Sequence, residues 1–319
     1  MAGRKPTPDR SVRETALLSE GMSGVRTARC AALLVLAAVM LLAAAPAASA
    51  RPSKDAYRGP GAWIDVYDGR LLADPFGTVA NLSLHGVRTI YVETANYSNP
   101  RVGSFVYPVG IAALIDAAHA NGMQVVAWYL PGFKNLNRDL RRSLDAIRFT
   151  TVAGGHFDSF ALDIESNAVR NVSLRNRRAQ QLSSRIRRAV GKQYPLGAIT
   201  PDQRSTSAFL PSLWPRFPYS RLRPYYDVFL PMAYSSFRGK GARFVYGYTA
   251  ANIQYLRLMT RDPSLPVHVI GGLANKLRPS EAASVVRAER DQGALGASFY
   301  DVRLTGQQEW QALQLGFAP

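Results

Sequence analysis

Near the middle of the chain, in Asp158-Ser159-Phe160-Ala161-Leu162-Asp163-Ile164-Glu165, two carboxylates stand two residues apart inside an otherwise apolar run. In an extended strand successive side chains alternate, so Ser159, Ala161, Asp163 and Glu165 face one way and Phe160, Leu162 and Ile164 the other. The apolar set can pack against helices, which leaves the acidic pair together on the opposite face. Mutual repulsion and partial burial then raise the pKa of one of the two. A carboxylic acid that stays protonated near neutral pH is what the protonation of a glycosidic oxygen requires.

Such a pair needs elements to hold it. Apolar, β-rich runs occur at residues 62–66, 88–93, 124–130, 157–164, 195–199, 226–232, 266–270 and 296–300, which predicts eight strands. Helix-like stretches at 109–120, 136–150, 173–190, 249–260, 280–292 and 305–315 fall between most of them, with Ser280 placed to cap its helix. Strands alternating with helices imply parallel pairing through crossovers, and eight such units predict a single-domain (β/α)8 TIM barrel. The weakest unit is the fifth, because residues 200–223 are rich in proline and aromatics and read as a long irregular loop. A doubly wound open sheet is the alternative, but no Gly-rich phosphate loop follows the first strand.

In a barrel, chemistry sits where the strands end. The strand-end residues are Asp65 on the first strand, Glu93 on the second, Trp128 and Tyr129 on the third, and Asp163 and Glu165 on the fourth. The sixth ends in Met232 and Tyr234, the eighth in Tyr300 and Asp301. Carboxylates beside aromatic faces suit a carbohydrate, whose ring C–H faces stack while its hydroxyls take charged partners. Glu165 and Asp163 are the expected catalytic pair. Asp65, Glu93, Trp128, Tyr129, Met232, Tyr234, Tyr300 and Asp301 are the expected substrate-binding set. No metal or cofactor is expected, since the four histidines lack ligand spacing and the sole cysteine, Cys30, precedes an apolar leader run. No G-x-S-x-G elbow supports a serine triad.

The Asp158 to Glu165 run resembles the fourth-strand signature of the family 18 glycoside hydrolases, the chitinases and endo-N-acetylglucosaminidases, which reads D-G-x-D-x-D-x-E. Asp158, Asp163 and Glu165 match in register, and Met232-Ala233-Tyr234 resembles the family's M-x-Y motif. The resemblance implies that Glu165 protonates the leaving oxygen, Asp163 orients the substrate's 2-acetamido group, and Tyr234 hydrogen-bonds that acetamide. Three positions depart from the pattern. Ala161 replaces an aspartate that shares a proton with the position of Asp163, Ser159 replaces glycine, and Ser235 replaces the aspartate after Tyr234. The Leu162 to Glu165 stretch, with Asp65, also resembles the family 25 lysozymes. The expected function is hydrolysis of an amino-sugar-containing polysaccharide, peptidoglycan or chitin-like. The alternative is an inactive glycan-binding barrel associated with the cell wall, in which Ala161 marks the loss of catalysis.

Residues 1–50 read as a secretory signal peptide with an extended start. An apolar run at 31–45 follows Arg26 and Arg29, and Ala48-Ser49-Ala50 forms an A-x-A cleavage site. Met22 would open a leader of ordinary length. The expected mature domain is 51–319, secreted from a bacterium and monomeric. The chain carries 39 basic and 22 acidic residues, for a net charge of +17; the leader holds six and three of them, leaving +14. A secreted domain this basic is suited to anionic cell-wall polymers. Nucleic acid is not expected as a partner, because the densest basic segment, 170–188, lacks interleaved aromatics and reads as an amphipathic helix with a solvated face.

Overall fold

The computed structural model describes residues 52–99, 103–206 and 213–317. The expected leader lies outside the described residues. Eight strands, β1 (Gly59–Ile64), β2 (Thr89–Asn96), β3 (Gln124–Leu130), β4 (Ser159–Asp163), β5 (Leu196–Thr200), β6 (Val228–Pro231), β7 (His268–Leu273) and β8 (Gly296–Tyr300), pair in parallel in the order β6-β5-β4-β3-β2-β1-β8-β7. The two end strands meet through the parallel bridges Phe229–Val267 and Met232–Ile270, and Phe229 N–H donates to Pro266 O at 3.0 Å. Parallel strands need long crossovers, and these are supplied by helices. The result is a nearly closed (β/α)8 barrel, as the strand count predicts.

Among the described residues, seven helices of ten or more residues surround it: α1 (Pro75–Leu84), α2 (Pro108–Ala120), α3 (Leu136–Ile147), α4 (Val172–Val190), α5 (Ala242–Thr260), α6 (Pro279–Asp291) and α7 (Gln307–Gly316). Helix α1 is absent from the sequence reading; it starts where the Asp74 carboxylate accepts the Gly77 N–H at 3.0 Å, with Pro75 in the first turn. Helix α5 begins at Ala242 rather than at 249. Ser280 does not cap α6. That end is closed by Glu281, which reaches back to accept the Arg278 N–H at 2.8 Å. The irregular fifth unit contains two single helical turns, Gln203–Thr206 and Tyr219–Leu222, and buries Trp214 beneath the Arg175 guanidinium, 4.2 Å from its ring.

The expected solvated face of α4 is also a set of fasteners. Arg178 donates to Phe133 O at 2.8 Å, and Arg187 donates to Tyr225 O at 2.9 Å and pairs with Asp227 at 2.6 Å. Arg170, Arg177 and Arg188 remain exposed.

Strand alternation divides the apolar residues into two cores. Ile64, Val92, Ala127, Phe160, Leu162 and Ile164 face outward into the layer shared with the helices. Trp63, Tyr91, Val126, Trp128, Ala161, Ile199 and Ile270 fill the barrel. The interior is lopsided, with large rings on β1 to β3 and the aliphatic side chains of Ile199, Val228, Leu230 and Ile270 on β5 to β7. Trp63 stacks on Tyr91 with centroids 4.3 Å apart and planes 9° from parallel, a geometry worth about 1 kcal/mol beyond area burial. Gly61 and Gly197 make the room: a Cβ on Gly61 would lie 2.7 Å from the Tyr91 ring, and one on Gly197 would lie 2.6 Å from the Tyr57 hydroxyl.

Candidate functional site

At the carboxyl ends of the strands a cavity of about 360 Å³ opens, lined by Trp63, Glu93, Trp128, Asp163, Glu165, Met232, Tyr234 and Tyr300. Seven of these are residues the sequence singles out as catalytic or substrate-binding, brought together from five strands. Asp163 ends β4 on the inward face, above Ala161, and Ile164 N–H continues the ladder to β5 by donating to Ile199 O at 2.9 Å. That bond carries the extended backbone one residue further and turns Glu165 to the same side as Asp163.

The cavity is acidic. No Lys or Arg lines it among the described residues. Burial raises the Glu165 pKa. Burial, then the charges of Glu165 and Glu93, push Asp163 well above the usual carboxylate range. Glu93, 3% exposed, is pushed up to about 8 by burial first, against the lowering effect of the Val66 N–H that its Oε2 accepts at 3.0 Å. The charge of Asp65 adds to the rise, the Asn96 side chain opposes it, and the charge of Glu165 adds again.

Two lining groups have no protein partner: Asp163 Oδ1, an acceptor, and Trp128 Nε1, a donor only, are both buried and unbonded. An unsatisfied buried polar atom costs roughly 1–3 kcal/mol, so each calls for a polar partner, either a group that enters the cavity or, for Asp163 Oδ1, a neighbouring carboxyl that carries a proton. The neighbouring indole is already engaged. Trp63 Nε1 donates to Ser298 Oγ at 2.8 Å, and Ser298 lies 3.0 Å from the buried His268 Nε2. Since His268 Nδ1 sits 2.9 Å from Tyr57 O and must donate to it, Nε2 is the acceptor, and burial pushes the His268 pKa down to about 4. Trp63 is therefore a fixed apolar floor, with the Trp128 ring edge-on at 5.8 Å.

Three sequence-predicted residues stand outside the lining. Tyr129 is a correction: adjacent to Trp128 on β3, it faces the opposite way, its hydroxyl donating to Asp139 Oδ1 at 2.8 Å in the outer layer. Asp65 and Asp301 lie behind Tyr300, whose hydroxyl donates to Asp65 Oδ2 at 2.9 Å. Asp301 caps the turn that follows β8, accepting the Leu304 N–H at 3.2 Å. With Asp68 these two form a buried acidic cluster whose oxygens lie within 4.8 Å of one another, a donor set that could accept a divalent cation. Arg303 pairs with all three. Asp158, the first aspartate of the strand-four motif, is remote from the cavity; it accepts the Val125 N–H at 2.7 Å and pairs with His119 at 3.0 Å.

Loop residues complete the mouth. Tyr97, Ser98 and Phe237 line it as well, beside Asn96 at the end of β2. The observed strand runs past the predicted one, which ends at residue 93, and so brings Asn96 to the mouth with Tyr97 and Ser98 after it. Phe237 lies in a turn that no periodicity marks.

No family model matches the sequence, and no curated protein matches it. Solved structures share its fold. A chitinase from Bacteroides thetaiotaomicron aligns with a TM-score of 0.58 at 11% identity, over 82% of this chain and 96% of that one. The endo-beta-1,4-mannanase of Thermotoga petrophila aligns with a TM-score of 0.59 at 10% identity, over 82% and 77%. The Bacillus cereus spore cortex-lytic enzyme SleL aligns with a TM-score of 0.52 at 12% identity, over 84% and 75%.

Proposed function

With a fold shared by glycoside hydrolases as its premise, we propose that this protein is a glycoside hydrolase acting on an amino-sugar-containing polysaccharide, peptidoglycan or chitin-like. The observation that carries the reading is the meeting of Asp163 and Glu165 with Trp63, Trp128 and Tyr234 in one cavity at the strand ends. Glu165 is the acid. Its burial favours the protonated form, and it is less enclosed than Asp163, so the proton can reach a glycosidic oxygen at the mouth. Asp163 and Tyr234 lie where an acetamide would be oriented, with Trp63 beneath the sugar ring and the Trp128 N–H free to bind a hydroxyl or carbonyl oxygen. The fold neighbours include chitinases and a cortex-lytic enzyme, which supports a glycan as substrate.

The leader and the basic exterior extend the proposal. The protein is exported from a bacterial cell, cleaved after Ala50, and held on anionic wall polymers. An exported form whose N-terminus is Arg51 is the check on cleavage.

Glu165→Gln tests the chemistry, because it keeps the shape and an acceptor oxygen but removes the transferable proton. Sugar release from purified wall or chitin oligomers should fall by roughly 10²- to 10⁴-fold while oligosaccharide affinity stays near wild type. Binding without release by wild type, with the Gln variant indistinguishable, establishes the inactive glycan-binding barrel instead.

A further inference from the structure

The cavity holds three carboxylates, from Glu93, Asp163 and Glu165, and no cation from the described residues lines it. Three adjacent charges without a counter-ion cannot all persist in a buried site, so a proton must reside among them. The pairing of strands indicates where. Glu93 on β2 pairs with Trp128 on β3, and Trp128 pairs with Ala161 on β4, so all three stand in one row of the barrel. Ala161 brings no polar group to that row, and Asp163, the next inward residue of β4, is left with an Oδ1 that no protein donor reaches. Glu93 is the group placed to supply one. Its Oε2 accepts the Val66 N–H and the carboxyl also takes a hydrogen bond from the Asn96 side chain, which fixes its plane; a proton on the oxygen that Val66 does not hold can be given to Asp163.

We propose that Glu93 is a positioning residue of this site: it shares one proton with Asp163, and the resulting hydrogen bond to Oδ1 holds the Asp163 carboxyl turned toward the substrate. For its catalytic consequence this rests on the hydrolase reading; for its geometry it does not. The elevated pKa values of Glu93 and Asp163 are consistent with a shared proton. The charged and titratable groups that bear on Glu93 are Asp65 from the loop after β1, Asp163 and Glu165 from β4, and Tyr300 from β8. Arg303 is directed instead at Asp65, Asp68 and Asp301.

Two measurements test the proposal. In carboxyl-carbon NMR of the labelled protein, Glu93 should titrate near pH 8, with the Asp163 carbon responding at the same midpoint. In Glu93→Gln that response should vanish. A Glu93 that titrates in the ordinary carboxylate range, or an Asp163 carbon silent through the Glu93 titration, overturns the proposal whether or not the protein is an enzyme. In kinetics, wild-type turnover should decline as the pH rises through Glu93 ionisation. Glu93→Gln, whose amide always donates, should retain turnover and lose that decline. Glu93→Leu should lose about 10²-fold in kcat with KM little changed, the cost of a misplaced group. If the decline belongs to Glu165 alone, removing a neighbouring carboxylate lowers the Glu165 pKa, and the decline in Glu93→Gln moves to lower pH; that result also overturns it. A wild type with no turnover defeats the hydrolase reading and leaves the NMR outcome to decide this one.

Discussion

Asp202→Ala should unfasten the side of the cavity formed by β5 and β6. Asp202 follows β5 and is 5% exposed. Its Oδ2 accepts Arg238 Nε at 3.0 Å, Arg238 Nη2 at 2.9 Å and the Tyr248 hydroxyl at 2.6 Å, and its Oδ1 accepts the Ser205 N–H at 2.6 Å. These bonds tie the end of β5 to α5 and to the turn after β6 that carries Tyr234 and Phe237. Burial alone would raise the Asp202 pKa, but the hydrogen bonds from Tyr248, Ser205 and Arg238 outweigh it and hold the carboxyl below its ordinary value. Alanine leaves the Tyr248 hydroxyl buried without its acceptor and the Arg238 charge with Ser205 Oγ at 2.7 Å.

Removing one partner of a buried ion pair costs roughly 3–5 kcal/mol. The Arg238 side chain is 25% exposed, so water recovers part of its charge and the lower end, about 3 kcal/mol, applies. In a domain of this size each kcal/mol moves Tm by roughly 2–4 °C, so scanning calorimetry should record a fall of about 6–12 °C at neutral pH. The folded-state pKa is depressed, so this stability is present above the unfolded value of about 3.9 and is lost as pH falls through the lower folded value. The gap between wild type and variant should therefore be constant above about pH 5 and close in stronger acid. A fall of less than about 2 °C at neutral pH, or a gap that persists undiminished into strong acid, refutes the reasoning.

Tyr129→Phe deprives the buried Asp139 carboxyl of a donor and should cost about 1–3 kcal/mol, seen as a lower urea midpoint, with kcat and KM unchanged because this side chain faces the outer layer. A kinetic change without a stability change would return Tyr129 to the site. Retention on isolated cell walls should fall steeply between about 0.15 M and 1 M salt, as the screening length drops from about 8 to 3 Å, and Arg177 and Arg188 on α4, with Arg170 just before it, should account for part of it. Retention indifferent to salt removes the wall-binding role from the basic surface.

The barrel was legible because parallel strands buried on both faces read as near-continuous apolar runs, and eight such runs separated by helices leave few architectures. The orientation of Asp163 and Glu165 was legible for a different reason: period two applies along β4, and Ser159, Ala161 and Asp163 all face inward. The same parity separates Trp128, which lines the cavity, from Tyr129, which faces the helices, since neighbours on one strand cannot share a face. Helix α1 escaped notice because Gly77, Asn81 and Ser83 are weak helix formers and its amphipathic pattern is shallow. Tyr97 and Phe237 lie in loops, where no period connects sequence position to direction.

Charge is arranged in two opposing fields, and the proposed function uses both. The exterior is basic, yet the cavity gathers Glu93, Asp163 and Glu165, while the nearby guanidinium of Arg303 is committed to Asp65, Asp68 and Asp301. A cation inside the cavity would lower all three carboxyl pKa values and remove the proton that Glu165 is to give. Its exclusion favours the protonated form of the acid. It also leaves the cavity negative, which suits the oxocarbenium-like positive charge that develops on the sugar as a glycosidic bond breaks. Carboxylate or phosphate groups of a wall polymer would be repelled from that interior and drawn to the exposed arginines of α4. On the hydrolase reading, a neutral acetamido sugar therefore enters the cavity while the anionic parts of the same polymer stay on the outer surface.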